Sequence, residues 1–464
     1  MSSSLVYASA RTLSGQLASG ALSSVDLVEY YLQRIARWEP RLHAFVEVYG
    51  EDALRAARAA DLARATGAVL GPLHGMPVAL KDLVEMEGRH TGGGSAANAG
   101  RISPVTASLV HRLWRQGAII IGKTHTVEFA MGGWGTNIRL GTPWNPWDLE
   151  TARTPGGSSS GSGVALAADL VPLALGTDTG GSVRLPASWC NLTALKVSSG
   201  RISGYGVLPL SPTLDTPGPM ARSVADARLF YEALRGHDAQ DRHAHLVPAA
   251  APAMAAREDL RGMRLARLSE ADRSASEPEV LAAYDAALEV LADAGADIVD
   301  ITLPYGFAEV AALNGQIMFA EGYSLYHHLL DDPQAPLDED VRPRLLAGRT
   351  ITAADYLQAL RARSEMQARF NTVFDQVDAL LTPTTTTAAL KLEEVDQGGS
   401  PSYYTRFGNF FNLSALSLPS GATKAGLPLS LQIIGRPYGE ETVLDIGAQY
   451  QTRTQWHLRR PEGL

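Results

Sequence analysis

Two glycine- and serine-rich loops, at residues 155–163 and 176–184, constrain this chain more than any other feature. The first reads Pro155-Gly156-Gly157-Ser158-Ser159-Ser160-Gly161-Ser162-Gly163. The second reads Gly176-Thr177-Asp178-Thr179-Gly180-Gly181-Ser182-Val183-Arg184. Ser158 and Ser182 stand 24 residues apart, with an apolar helix (164–170) and a short strand (173–175) expected between them. One such loop alone reads as a structural turn. Two, each at the end of regular structure, place two runs of closely spaced backbone N–H groups together, and such runs converge into anion-binding nests. An oxyanion hole requires that feature, and glycines at 180 and 181 let the backbone approach a substrate closely.

A serine nucleophile needs a base. The chain has 11 His, but none accompanies a Gly-x-Ser-x-Gly elbow. Gly161-Ser162-Gly163 lacks the strand that should directly precede one. His243 and His245 fall in a linker-like stretch, and His327 and His328 fall on an expected helix. Lys81 is the better base. Only five of 40 basic residues are Lys (81, 123, 196, 391 and 424), and Lys, unlike Arg, loses its proton when desolvated. Lys81 leaves the apolar run Pro77-Val78-Ala79-Leu80, where burial lowers an amine's pKa. A salt bridge to the adjacent Asp82 is the competing structural reading.

One pattern misleads. Residues 117–124, Gly-Ala-Ile-Ile-Ile-Gly-Lys-Thr, match the nucleotide P-loop letter for letter. A P-loop needs a phosphate-cradling loop after a strand, whereas Ala118-Ile119-Ile120-Ile121 reads as the strand itself.

Alternating helical and strand patterns favour an α/β sheet covered by helices on both faces. Ser23, with Asp26 three residues on, opens an amphipathic helix carrying Val28, Tyr31, Leu32 and Ile35, closed by Pro40. A short buried strand delivers Lys81. A late strand at 427–434 returns to the core. The chain is expected to be one large unit over 1–464: N-terminal helices (1–70), a dense core (71–235), a linker-like excursion (236–262) and a C-terminal part (263–464) that completes the sheet.

The net charge is −9, with 45% hydrophobic and 19% charged residues. That supports a sizeable core, and argues against nucleic-acid and anionic-membrane partners. With one cysteine, Cys190, there is no intramolecular disulfide and no cysteine-based metal site. No metal or cofactor is expected. No leader or membrane span is visible, and a cytoplasmic location fits.

The segments Gly75-Met76-Pro77-Val78-Ala79-Leu80-Lys81-Asp82, Gly122-Lys123-Thr124, Glu128-Phe129-Ala130-Met131-Gly132, Asn145-Pro146-Trp147-Asp148 and the two Gly/Ser loops together resemble the amidase signature enzymes. Gly426-Leu427-Pro428 and Gln432-Ile433-Ile434-Gly435 resemble that family's late core strand. The resemblance implies a single domain with a central mixed β-sheet flanked by helices. It implies Ser182 as nucleophile, Ser158 as bridging serine after a cis peptide at Gly157, and Lys81 as terminal base. It implies an oxyanion hole from the backbone N–H groups of Thr179, Gly180, Gly181 and Ser182. Met131, Gly132, Gly133 and Trp134 correspond to a pocket-lining segment. Two departures stand out: Ser160 where Gly is usual, and Leu195-Lys196-Val197-Ser198 where Leu-Lys-Pro-Thr is usual.

The expected activity is cleavage of an amide-type C–N bond in a small molecule, by a monomer or homodimer. Trp134, with Trp144, Tyr205 and residues 407–411, suggests aryl or hydrophobic amides. Carbamates (urethanes) fall under the same acyl chemistry. The rival is the glutaminase subunit of a tRNA-dependent amidotransferase, whose pocket should carry charged groups for the α-carboxylate and α-amine of glutamine. A binding module that kept the fold without turnover is the non-enzymatic alternative.

Overall fold

The computed structural model describes residues 5–68, 71–248 and 257–464. One sheet of 11 strands organises them. In chain order the strands are β1 (Phe45–Val48), β2 (Pro77–Lys81), β3 (Ile119–Thr124), β4 (Leu173–Asp178), β5 (Thr193–Lys196), β6 (Thr216–Ala221), β7 (Arg264–Arg267), β8 (Asp297–Asp300), β9 (Ala379–Pro383), β10 (Ser414–Ala422) and β11 (Pro428–Gly435). Their spatial order is β1-β3-β2-β4-β6-β5-β10-β11-β9-β7-β8. The sheet is mixed. β3, β2 and β4 are mutually parallel, the run from β4 to β9 is antiparallel, and β9, β7 and β8 are parallel again.

Successive strand residues point to opposite faces, and here they feed two separate cores. Leu381, Leu416 and Ile433 belong to one apolar cluster, while their neighbours Leu380, Ala415 and Ile434 belong to the other. A strand buried on both sides must be apolar throughout. The run Leu429 to Ile434 is interrupted only by Ser430 and Gln432, and both find hydrogen-bond partners. Fourteen α-helices cover the two faces among the described residues.

Two helix boundaries differ from those expected. The helix capped by Ser23 runs over Ser24–Leu42, two residues past Pro40. A proline in the last turn forfeits only one backbone bond, and the Glu39 carboxylate then accepts the N–H groups of Ala44 and Phe45. The apolar helix after the first Gly/Ser loop begins at Ser160, not Val164, and ends at Ala167. Gly and Ser are weak helix formers, but tertiary contact decides: a Cβ on Gly161 would lie 2.3 Å from Ala44 O and 2.4 Å from His125 N. The described part of the excursion at 236–262 is tied down by hydrogen bonds. Asp241 accepts the Gly204 N–H at 2.7 Å, and His243 Nε2 bonds Pro212 O at 2.8 Å. Residues 249–256 of that stretch lie outside the described residues.

Candidate active site

The adjacent parallel strands β2 and β4 end together, in register from Val78 opposite Leu173 to Leu80 opposite Leu175. Ligands in open α/β sheets gather at such carboxyl ends. Lys81 is the last residue of β2. β4 extends three residues beyond the expected 173–175, so Thr177 and Asp178 are strand residues. The helix Ser160–Ala167 packs beneath and brings Ser158 in from the first loop, after a cis peptide between Gly157 and Ser158.

Three side chains far apart in sequence therefore meet. Lys81 Nζ lies 2.7 Å from Ser158 Oγ and 2.8 Å from Thr177 Oγ1, all three buried. Burial drops the Lys81 amine from its ordinary 10.5 to about 7, against the pull of the nearby Asp178 and Asp215 charges. Asp82 is not its partner. That carboxylate pairs with Lys123 at 3.2 Å, which also bonds Thr91. The same pair disposes of the P-loop pattern, since Lys123 is a buried residue of β3. Ser182 is 7% exposed, and its hydroxyl bonds no protein group among the described residues. Its carbonyl accepts the Ser159 N–H at 3.2 Å, tying the two loops together.

The turn that carries Ser182 is built on a buried ion pair. Asp178 takes Arg184 Nη2 at 2.8 Å and Nε at 3.0 Å, and also accepts the N–H groups of Gly181 (2.7 Å) and Val183 (3.2 Å). Burial alone would raise this carboxyl, but the Arg184 guanidinium outweighs it and holds it at about 2. Gln432, Asn409 and Thr405 O satisfy the rest of Arg184. The arrangement corrects one expectation: the Gly181 N–H faces the Asp178 carboxylate, leaving Thr179, Gly180 and Ser182 as the amides without a protein acceptor among the described residues. Gly181 has φ +135°, and a Cβ there would lie 2.3 Å from Thr405 Oγ1, so only glycine fits. Breaking a buried pair strands a charge at a cost of about 3–5 kcal/mol. Asp178→Asn is therefore expected to lower unfolding free energy by that order and to depress turnover with it, measured by urea denaturation beside kinetics.

A cavity of about 130 Å³ opens on Ser182. Met131, Gly132 and Gly133 line it with Thr179 and Gly180, as do Met318, Phe319, Arg344 and Arg406. Trp134 does not. It is turned away and stacked on Trp189, with ring centroids 5.7 Å apart, in a small apolar cluster with Ala389. Phe407, Phe410 and Phe411 are core residues, and Trp144 packs on the other core. Tyr205 lines a second cavity of about 370 Å³ with Thr177, Asp215 and His243. None of the aromatic residues expected from sequence thus lines the Ser182 cavity; among the described residues its aromatic contribution comes from Phe319. Thr177, Arg344 and Arg406 were not foreseen. Thr177 lay in a quoted motif and needed only the longer strand. The others sit in the C-terminal half, in segments without a motif.

Among the described residues no cluster of side chains could hold a metal ion, and no helix is long and apolar enough to cross a membrane.

The Amidase family profile matches residues 26–444. The A-type subunit of the glutamyl-tRNA(Gln) amidotransferase of Chloroflexus aggregans is 38% identical, with 96% of each chain covered. Its counterpart in Geobacter metallireducens is 36% identical, with 97% of each covered. Among solved structures, a vestigial protein complex that reveals the evolutionary origins of an s-triazine catabolic enzyme superposes with a TM-score of 0.88 at 31% identity, covering 96% of this chain and 98% of that one. The peptide amidase of Stenotrophomonas maltophilia gives 0.83 at 32% identity, covering 98% of both.

Proposed function

The chain belongs to the amidase family, and from that premise we propose that it hydrolyses an amide-type C–N bond through an acyl-enzyme on Ser182. The 2.7 Å approach of a buried, pKa-lowered Lys81 to Ser158 carries this reading. Ser182 Oγ attacks the acyl carbon. Its proton passes to Ser158 as the Ser158 proton passes to neutral Lys81. The Gly180 and Ser182 amides, with Thr179 beside them, receive the negative charge on the carbonyl oxygen. The C–N bond then breaks, and the Lys81 ammonium returns its proton through Ser158 to the leaving nitrogen. Water cleaves the ester by the same route and frees Ser182.

Glutamine hydrolysis, with ammonia passed to a partner, is the second reading. The identity to the amidotransferase chains favours it. The cavity supplies arginines for a carboxylate but no Asp or Glu, among the described residues, for an ammonium group. That composition, and a cavity of only about 130 Å³, favour a small amide over both glutamine and a bulky anilide, with carbamates admitted by the same chemistry. Turnover of simple amides, anilides, carbamates and glutamine by purified protein tests this. Simple amides should exceed glutamine in kcat/KM, and a strict requirement for glutamine would select the second reading.

A further inference from the structure

Two guanidinium groups line the Ser182 cavity, and they differ in what holds them. Arg344 is committed: it donates to Met131 O at 3.2 Å, Gln397 O at 2.5 Å and Gln397 Oε1 at 2.6 Å. Arg406 is not. One Nη donates to Ala311 O at 3.1 Å and the other to Ser400 Oγ at 3.1 Å, both neutral acceptors. No carboxylate lies within 4.0 Å of it among the described residues, where 23 such ion pairs occur elsewhere. A guanidinium carries five N–H donors and matches a carboxylate in two-point geometry.

Asn314, fully buried on the helix Phe307–Leu330, leaves both atoms of its amide without a partner among the described residues. Buried polar atoms are nearly always satisfied, and an orphan costs free energy. The two residues converge over one point. A Cβ placed on Gly180 would lie 3.4 Å from Arg406 Cγ, 4.0 Å from Arg406 Nε and 3.8 Å from Asn314 Oδ1. Gly180 stands two residues from Ser182 and lines the same cavity.

Taking the amide-hydrolase reading of Ser182 as its basis, we propose that Arg406 and Asn314 form an anion subsite beside Gly180, and that the substrate is an amide bearing a free carboxylate and no ammonium group, such as the half-amide of a dicarboxylic acid. The carboxylate would accept from the Arg406 guanidinium and, with the Asn314 amide turned so that Nδ2 rather than Oδ1 faces Gly180, from the Asn314 N–H, which gives that orphaned donor a partner. No Asp or Glu lines the cavity among the described residues, so an ammonium group entering it would shed water without gaining a counter-charge. Charge sign thus separates such a substrate from glutamine, which carries both groups.

The test compares glutaramate with valeramide, its neutral counterpart of equal chain length, and with glutamine. Wild-type protein should favour glutaramate over each by roughly tenfold or more in kcat/KM, the worth of a hydrogen-bonded charge. Arg406→Gln should collapse the glutaramate-to-valeramide ratio toward one, chiefly through KM, and Arg406→Lys should restore part of it. A merely structural arginine would lower both substrates alike and leave the ratio standing, which overturns the subsite. A second measurement needs no turnover: glutarate titrated calorimetrically into Ser182→Ala should bind, and should not bind when Arg406→Gln is added. Equal glutarate binding to both variants, or glutamine used as well as glutaramate, would also overturn it. If wild-type protein cleaved no amide while Ser182→Ala still bound glutarate through Arg406, the subsite would stand and the hydrolase reading would fall.

Discussion

Ser182→Ala is expected to remove amide hydrolysis by about 10⁶-fold in kcat, the scale on which serine hydrolases lose rate with their nucleophile. The fold should barely notice. The Ser182 hydroxyl bonds no protein group among the described residues, so its removal orphans nothing in the core. The backbone bond from Ser159 N to Ser182 O survives the substitution. Thermal unfolding should therefore stay within about 0.5 kcal/mol of wild type while steady-state turnover vanishes. That separation distinguishes a nucleophile from a packing residue, which would lose both together.

Lys81→Met is expected to cost about 10²–10⁴-fold in kcat/KM, the usual worth of a positioned general base, and to change the pH profile. Wild-type kcat/KM should rise with pH through about 7, because only the neutral amine accepts a proton and burial places its titration there. The variant should lose that limb. Asp215 also titrates near the same pH, pushed up to about 7 by burial, so the limb needs assignment. Asp215→Asn supplies it. Removing a negative charge that favours the Lys81 ammonium should move the limb to lower pH, by up to about one unit. A limb that disappeared in Asp215→Asn and persisted in Lys81→Met would belong to the carboxylate. The same shift bears on stability. The folded Lys81 pKa lies below the unfolded one, so from about 7 to the ordinary 10.5 the unfolded chain binds more protons, and this group makes stability rise with pH.

The parts of this site legible in the sequence are those held by local backbone demands. Gly181 had to be glycine because its φ of +135° and the Thr405 side chain exclude a Cβ, and such positions announce themselves as Gly-rich motifs. Lys81 was legible because an apolar run delivered it, and burial of that run sets its pKa. The mixed sheet followed from alternating patterns and from the family resemblance. What stayed hidden depends on which surface a side chain turns toward. Trp134 sits in the pocket-lining segment, but stacking on Trp189 draws it the other way. Arg406 and Asn314 approach Gly180 from two helices 92 positions apart in the chain (314 to 406), and no local pattern records that approach. Gly181 looked like an oxyanion donor by position. Its N–H turned inward because the buried Asp178 carboxylate claims it.

Mass spectrometry of the protein after reaction with a fluorophosphonate addresses the proposed nucleophile without reference to any substrate. A single phosphonyl adduct should form, map to the peptide containing Ser182, vanish in Ser182→Ala and slow sharply in Lys81→Met. An adduct on another serine, or labelling of Ser182→Ala at the wild-type rate, would contradict an acyl-enzyme at this position.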